Sequence, residues 1–158
     1  MKIVMSRVDE RLVHGQVIAS WTKILSVKSI LVIDDTLAKD SFMSTVLSMA
    51  APSGVKVELI SVEQAADRIK HEGIDGGINT MLLFKIPDCA LALIEKGITL
   101  NELNIGNMGA GPSRKQISRN VYASAAEIDI FRKILKLGVD VYLQMVQQES
   151  RVSIASKL

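Results

Sequence analysis

Compact apolar runs alternate with segments of helical periodicity along this chain, and that alternation restricts its fold more than any other feature. Residues 2–6, 28–33, 55–60, 80–84, 102–105 and 139–146 read as strands, while 16–25, 37–50, 62–71, 87–96 and 125–137 carry apolar residues at helical spacing. Strands buried on both faces lose their polar alternation, and parallel strands need crossover connections that cover those faces. The expected fold is therefore α/β, a single three-layer α/β/α domain over residues 1–158 with a mostly parallel sheet. A chain of 158 residues with 48% hydrophobic content suits one full core.

Local punctuation supports these boundaries. Asp34, Asp35 and Thr36 supply cap chemistry before the second helix, and Ala51-Pro52-Ser53-Gly54 ends it. Ser61 with Gln64 and Ser124 with Glu127 have the spacing of capping boxes. Pro87 opens a helix that Gly97 closes, and the segment 72–79, with Gly73, Gly76 and Gly77, reads as an exposed loop. Core faces account for all the apolar stripes, so no surface for self-association is evident, although oligomerisation is left open.

Composition excludes several classes of function. A net charge of +2 and 4% aromatic residues supply neither a basic stripe nor stacking platforms, so nucleic acid is not expected as a partner. Cys89 is the only cysteine and lacks Cys or His neighbours at ligand spacing, which fits a reducing compartment and no metal. The sequence opens on a strand pattern rather than a signal peptide, and no apolar run approaches the ~18 residues of a membrane span. A cytoplasmic location is expected.

The chemistry concentrates in the segment Arg7-Val8-Asp9-Glu10-Arg11-Leu12-Val13-His14-Gly15-Gln16-Val17, read as the turn between the first strand and first helix. His14 offers a ring nitrogen that is nucleophilic near neutral pH, and the helix start beyond it presents unpaired amides suited to an anion. Gly15 admits a phosphate without side-chain hindrance. Arg11 and Arg7 carry guanidinium forks that match phosphoryl oxygens, and Asp9 is placed to hold an arginine or fix the imidazole tautomer. In a doubly wound sheet the loop beginning Gly106-Asn107-Met108-Gly109 shares the same edge, where its amides form a second wall, with Ser113, Arg114 and Lys115 adding donors and charge.

Nucleotide motifs are near misses. Gly106 and Gly111 have P-loop spacing but precede Pro112-Ser113 instead of Lys-Ser/Thr, and the glycine order reverses the dinucleotide fingerprint. His71, beside Glu72 at a helix end, fits a dipole-complementing role. These residues alone leave three readings open: a phosphocarrier, a module that binds a small phosphorylated ligand, and a histidine-dependent phosphatase or mutase. The last lacks an Arg-His-Gly triplet and a second catalytic histidine.

The 7–17 segment resembles the active-site signature of IIB components of the mannose/fructose/sorbose-type sugar phosphotransferase system. Leu103-Asn104-Ile105-Gly106-Asn107-Met108-Gly109, followed by Lys115-Gln116-Ile117, resembles the same family's second loop, and its Gly-Asn-Met form is most similar to the N-acetylgalactosamine branch. The resemblance implies that His14 carries a phosphoryl group from a phosphohistidine on a separate IIA protein. That group passes to a sugar of the mannose, fructose, sorbose or N-acetylgalactosamine class entering through membrane components IIC and IID. Arg11 is implied beside the phosphohistidine, no cofactor is implied, and a cytoplasmic protein associated peripherally with the transporter is expected. Residues 147–158 fall outside the resemblance.

Overall fold

The computed structural model describes residues 1–158. In chain order its elements are β1 (Lys2–Asp9), α1 (Gly15–Ile24), β2 (Ser29–Ile33), α2 (Ser41–Met49), β3 (Lys56–Ile60), α3 (Val62–Glu72) and β4 (Asn79–Phe84). They continue with α4 (Pro87–Glu95), β5 (Glu102–Asn107), β6 (Lys115–Ser118), β7 (Val121–Ala123), α5 (Ala125–Lys136), β8 (Asp140–Leu143) and β9 (Val152–Ser153). Seven strands form one sheet in the order β3-β2-β4-β1-β5-β8-β9, parallel except for β9. The three-layer α/β/α arrangement matches the expectation from sequence.

The period of two along each strand divides the core. In β2, Leu31 and Ile33 join a cluster with α3, α4 and α5, while Ile30 and Val32 join a smaller cluster with α1 and α2. In β4, Leu82 and Phe84 face the first cluster, and Met81 and Leu83 the second. Such runs are continuous in sequence because both faces are covered. Both capping boxes form, with Ser61 accepting from the Gln64 amide and Ser124 from the Glu127 amide.

Four local expectations need correction. First, β1 runs on to Asp9 instead of stopping at residue 6, because ladder pairing with both β4 and β5 outweighs the charge of its last turn. The 37–50 helix divides into a 3₁₀ turn at Leu37–Lys39 and α2, because Asp40 takes the N-cap and accepts from the Phe42 and Met43 amides. The segment before α5 is not a plain loop, since β6 and β7 pair there as an antiparallel hairpin. Finally, α2 is not fully spent on the core: Phe42 and Met49 are 71% and 82% exposed and share an outer stripe with Val46.

This topology locates the site. From β1 the chain passes through α1 toward β2, whereas from β5 it passes through α5 toward β8, on the other side in the strand order. Helices α1 and α5 cover opposite faces, so the carboxyl ends of β1 and β5 flank a switch point.

Candidate active site at the carboxyl end of β1

Arg7 enters the site from below. Its register partner is Asn104 on β5, and its side chain is fully buried. One terminal nitrogen, Nη1, donates to Asn104 Oδ1 at 2.5 Å and to the Gln144 carbonyl at 3.2 Å. The other, Nη2, donates to Asp9 Oδ2 at 3.0 Å and to the Met145 carbonyl at 3.1 Å. Burial pulls the Arg7 guanidinium below its ordinary value, against the raising effect of Asp9. The Trp21 indole lies 5.8 Å from the guanidinium carbon and donates its own N–H to the Met145 carbonyl at 3.0 Å.

Asp9, also fully buried, is the hinge between Arg7 and Arg11. Its Oδ1 accepts from the Arg11 amide and Nε, each at 3.0 Å, and its Oδ2 from Arg11 Nη2 at 2.9 Å as well as from Arg7. Burial pushes the Asp9 carboxyl up, but the Arg11 hydrogen bonds and the Arg7 charge outweigh it and hold its pKa below the usual range. Two cations and one anion leave this triad with a net positive charge. Arg11 is the member that reaches solvent, with its side chain 33% exposed and Nη1 free of protein partners.

His14 occupies the N-cap of α1 with extended backbone angles, φ −152° and ψ 137°, and no side chain caps the helix. The first amides of α1 are therefore open to an anion. Gly15 follows at φ +37°, with nothing near the place a Cβ would take. Before His14, Leu12 is left-handed at φ 58°, donates its amide to the Asp9 carbonyl and offers its own carbonyl 2.7 Å from His14 Nδ1. His14 Nε2 is buried without a hydrogen-bond partner.

The second loop behaves differently from the expected anion-binding wall. A Cβ on Gly106 would come within 2.2 Å of the Arg7 guanidinium, so this glycine makes room for an arginine, not a phosphate. Met108 is buried and its amide donates to the Asn120 carbonyl. Gly109 donates its amide to Glu10 Oε2 at 2.9 Å. Arg114 bonds Glu10 and forks onto Glu127, with Nε and Nη2 at 2.9 and 2.7 Å. The Glu127 hydrogen bond is the largest influence raising the Arg114 pKa.

The side chains of Arg7 and Asp9 and the amides of Met108 and Gly109 are thus engaged within the protein, and the space beside Gly106 is filled by Arg7. Asn107 is half-buried, with its carbonyl accepting from Glu10 and its side-chain amide unengaged. His14, Arg11 and Gly15 remain together at one turn. Sequence reasoning missed Asn104, Gln144, Trp21 and the bridging role of Glu10. The polar Asn104 between Leu103 and Ile105 was the available signal, since a buried amide needs a partner.

Residues 3–158 match the family described as the PTS system sorbose subfamily IIB component. The chain belongs to that family. This sorbose-type IIB component is 34% identical over 158 residues to the sorbose-specific EIIB component of Klebsiella pneumoniae, covering 100% of this chain and 96% of the relative. It is 32% identical over 152 residues to the N-acetylgalactosamine-specific phosphotransferase enzyme IIB component 2 of Escherichia coli (strain K12), covering 96% of each. The crystal structure of the IIBSor domain from Klebsiella pneumoniae superposes with a TM-score of 0.91 at 32% identity, covering 99% of this chain and 96% of that one. The family match also brings the 147–158 tail inside the resemblance, correcting its exclusion. As a IIB component, the chain serves a sugar phosphotransferase system as a transferase. No helix is long and apolar enough to cross a membrane.

Proposed function

We propose that His14 is a phosphoryl carrier between a phosphorylated IIA protein and a sugar delivered through the membrane components IIC and IID. The supporting observation is the single turn that joins an imidazole, an arginine with a free Nη1 and the uncapped start of α1. In the forward step, one His14 ring nitrogen attacks the phosphorus of the donor phosphohistidine in line. The donor's P–N bond breaks, its electron pair returns to the donor imidazole, and each ring keeps a proton on its other nitrogen. Arg11, the first amides of α1 beside Gly15 and the Asn107 side chain are the groups assigned to the equatorial oxygens.

Because donor and acceptor are both histidines, the step is close to isoenergetic, and the protein's contribution is alignment and exclusion of water. Transfer of the group from His14 to the sugar hydroxyl breaks the new P–N bond, and the hydroxyl proton is released. The substrate class is mannose, fructose, sorbose or N-acetylgalactosamine, and the working location is the cytoplasmic side of the transporter.

Reconstituted phosphate flow from phosphoenolpyruvate through a cognate IIA tests this assignment. Label is expected at His14, labile in acid and stable in base, and His14→Ala is expected to accept none while keeping its fold by circular dichroism. Full labelling of that variant rejects the carrier role. Arg11→Ala is expected to retain the nucleophile and slow transfer by about 10²-fold or more, the scale of one lost charge-stabilising donor.

A further inference from the structure

Both ring nitrogens of His14 are turned toward the protein in the position the side chain occupies. Its Nδ1 lies 2.7 Å from the Leu12 carbonyl, which can only accept, so the Nδ1 proton points into the protein. Its Nε2, left with the lone pair, is buried and touches no donor. One nitrogen is engaged and the other buried.

The contact depends on an unusual backbone. Leu12 adopts φ 58°, a left-handed conformation uncommon for a residue with a branched side chain, and its own side chain is buried beside Val13 in the smaller core cluster. The hydrogen bond from its amide to the Asp9 carbonyl ties this bend to β1. A left-handed residue two positions before the histidine turns its carbonyl toward the ring. Strain of this kind persists only where surrounding structure enforces it, and here the buried Leu12 side chain and the Asp9 carbonyl do so.

Resting on the phosphocarrier reading, we infer that Leu12 is a positioning residue whose carbonyl holds His14 in a closed rotamer, from which the ring must swing out before phosphoryl transfer. The docked IIA protein would then be needed to open the acceptor as well as to supply the phosphoryl group. A small phosphoryl donor has no surface with which to do this.

Two measurements test the gate apart from the carrier role. Long-range ¹H–¹⁵N spectra of the wild-type ring are expected to show a predominant Nδ1–H tautomer at His14. An Nε2–H tautomer, or the averaged shifts of a free imidazole, overturns the proposal. Labelling with phosphoramidate uses exposed His71 as an internal reference, and His14 is expected to react at least tenfold more slowly. Equal rates overturn the gate, whereas transfer from IIA, scored separately, decides the carrier role.

Variants separate the carbonyl's geometry from packing. Leu12→Val disfavours the left-handed bend and is expected to shift the tautomer and raise phosphoramidate labelling severalfold. Leu12→Gly removes the whole side chain yet accepts the bend, and is expected to keep the wild-type tautomer. The reverse order would mean that packing alone holds the ring, and would reject the role of the carbonyl.

Discussion

Asp9 accepts four hydrogen bonds from two arginines while fully buried, so its charge is bound up with folding itself. Removing it strands Arg7 as a buried cation, and breaking a buried pair in this way costs about 3–5 kcal/mol. Asp9→Asn is therefore expected to lower the urea midpoint sharply at pH 7. Because the folded carboxyl titrates below its unfolded value, its contribution is complete above ~3.9 and is lost as pH falls through the lower, folded pKa. The gap between wild type and variant is expected to narrow at pH 3 and below. An unchanged gap would mean that shape, not charge, makes Asp9 necessary. The sequence left Asp9 either to hold an arginine or to fix the imidazole tautomer and did not disclose that Arg7 is inside, because a charged residue near a turn reads as solvated unless its partners are known. Those partners, Asn104, Gln144 and Met145, come from β5 and the segment after β8, far along the chain.

Elements whose cause is local were legible. The capping boxes of α3 and α5 are written within four residues each, and both form as expected. Ser61→Ala and Ser124→Ala are each expected to cost about 1 kcal/mol of stability by urea titration. The two losses should add, since the caps sit on different helices without shared hydrogen-bond partners. Elements whose cause is distant were read poorly. The β6–β7 hairpin is joined to the chain after β5 by Met108, which exchanges backbone hydrogen bonds with Asn120 and Tyr122, a pairing that no periodicity in so short a stretch announces. Glycine content drew the second loop toward an anion site, whereas Gly106 is small because Arg7 fills the space above it. The α2 stripe was assigned inward because helical spacing reports that apolar residues share a face, not which way the face looks.

At the scale of the whole molecule, the C-terminal residues cover the end of β8 at the edge of the sheet. Strand β9 pairs antiparallel with β8, and Ile154, in the 3₁₀ turn beyond it, is fully buried in the larger core cluster. An uncovered β8 would expose unpaired backbone groups. Ile154→Ala is expected to destabilise the protein by about 2–5 kcal/mol. Faster amide hydrogen exchange in Asp140–Leu143 than elsewhere in the sheet would trace the loss to that edge; uniform acceleration would indicate a purely global effect. The parallel core and its two covered faces were readable from apolar runs alone. The cover over β8 was not, because β9 has only two residues.

Trp21 is the only tryptophan in the chain. Its indole N–H rests on the same Met145 carbonyl that Arg7 grips, and it rides on the helix whose first turn begins beside His14. The protein therefore carries an intrinsic optical reporter: a shift in that shared carbonyl or in the start of α1 alters the indole's hydrogen bond and its emission. Stopped-flow fluorescence can follow the molecule through a turnover without an attached dye, timing structural change against the appearance of label.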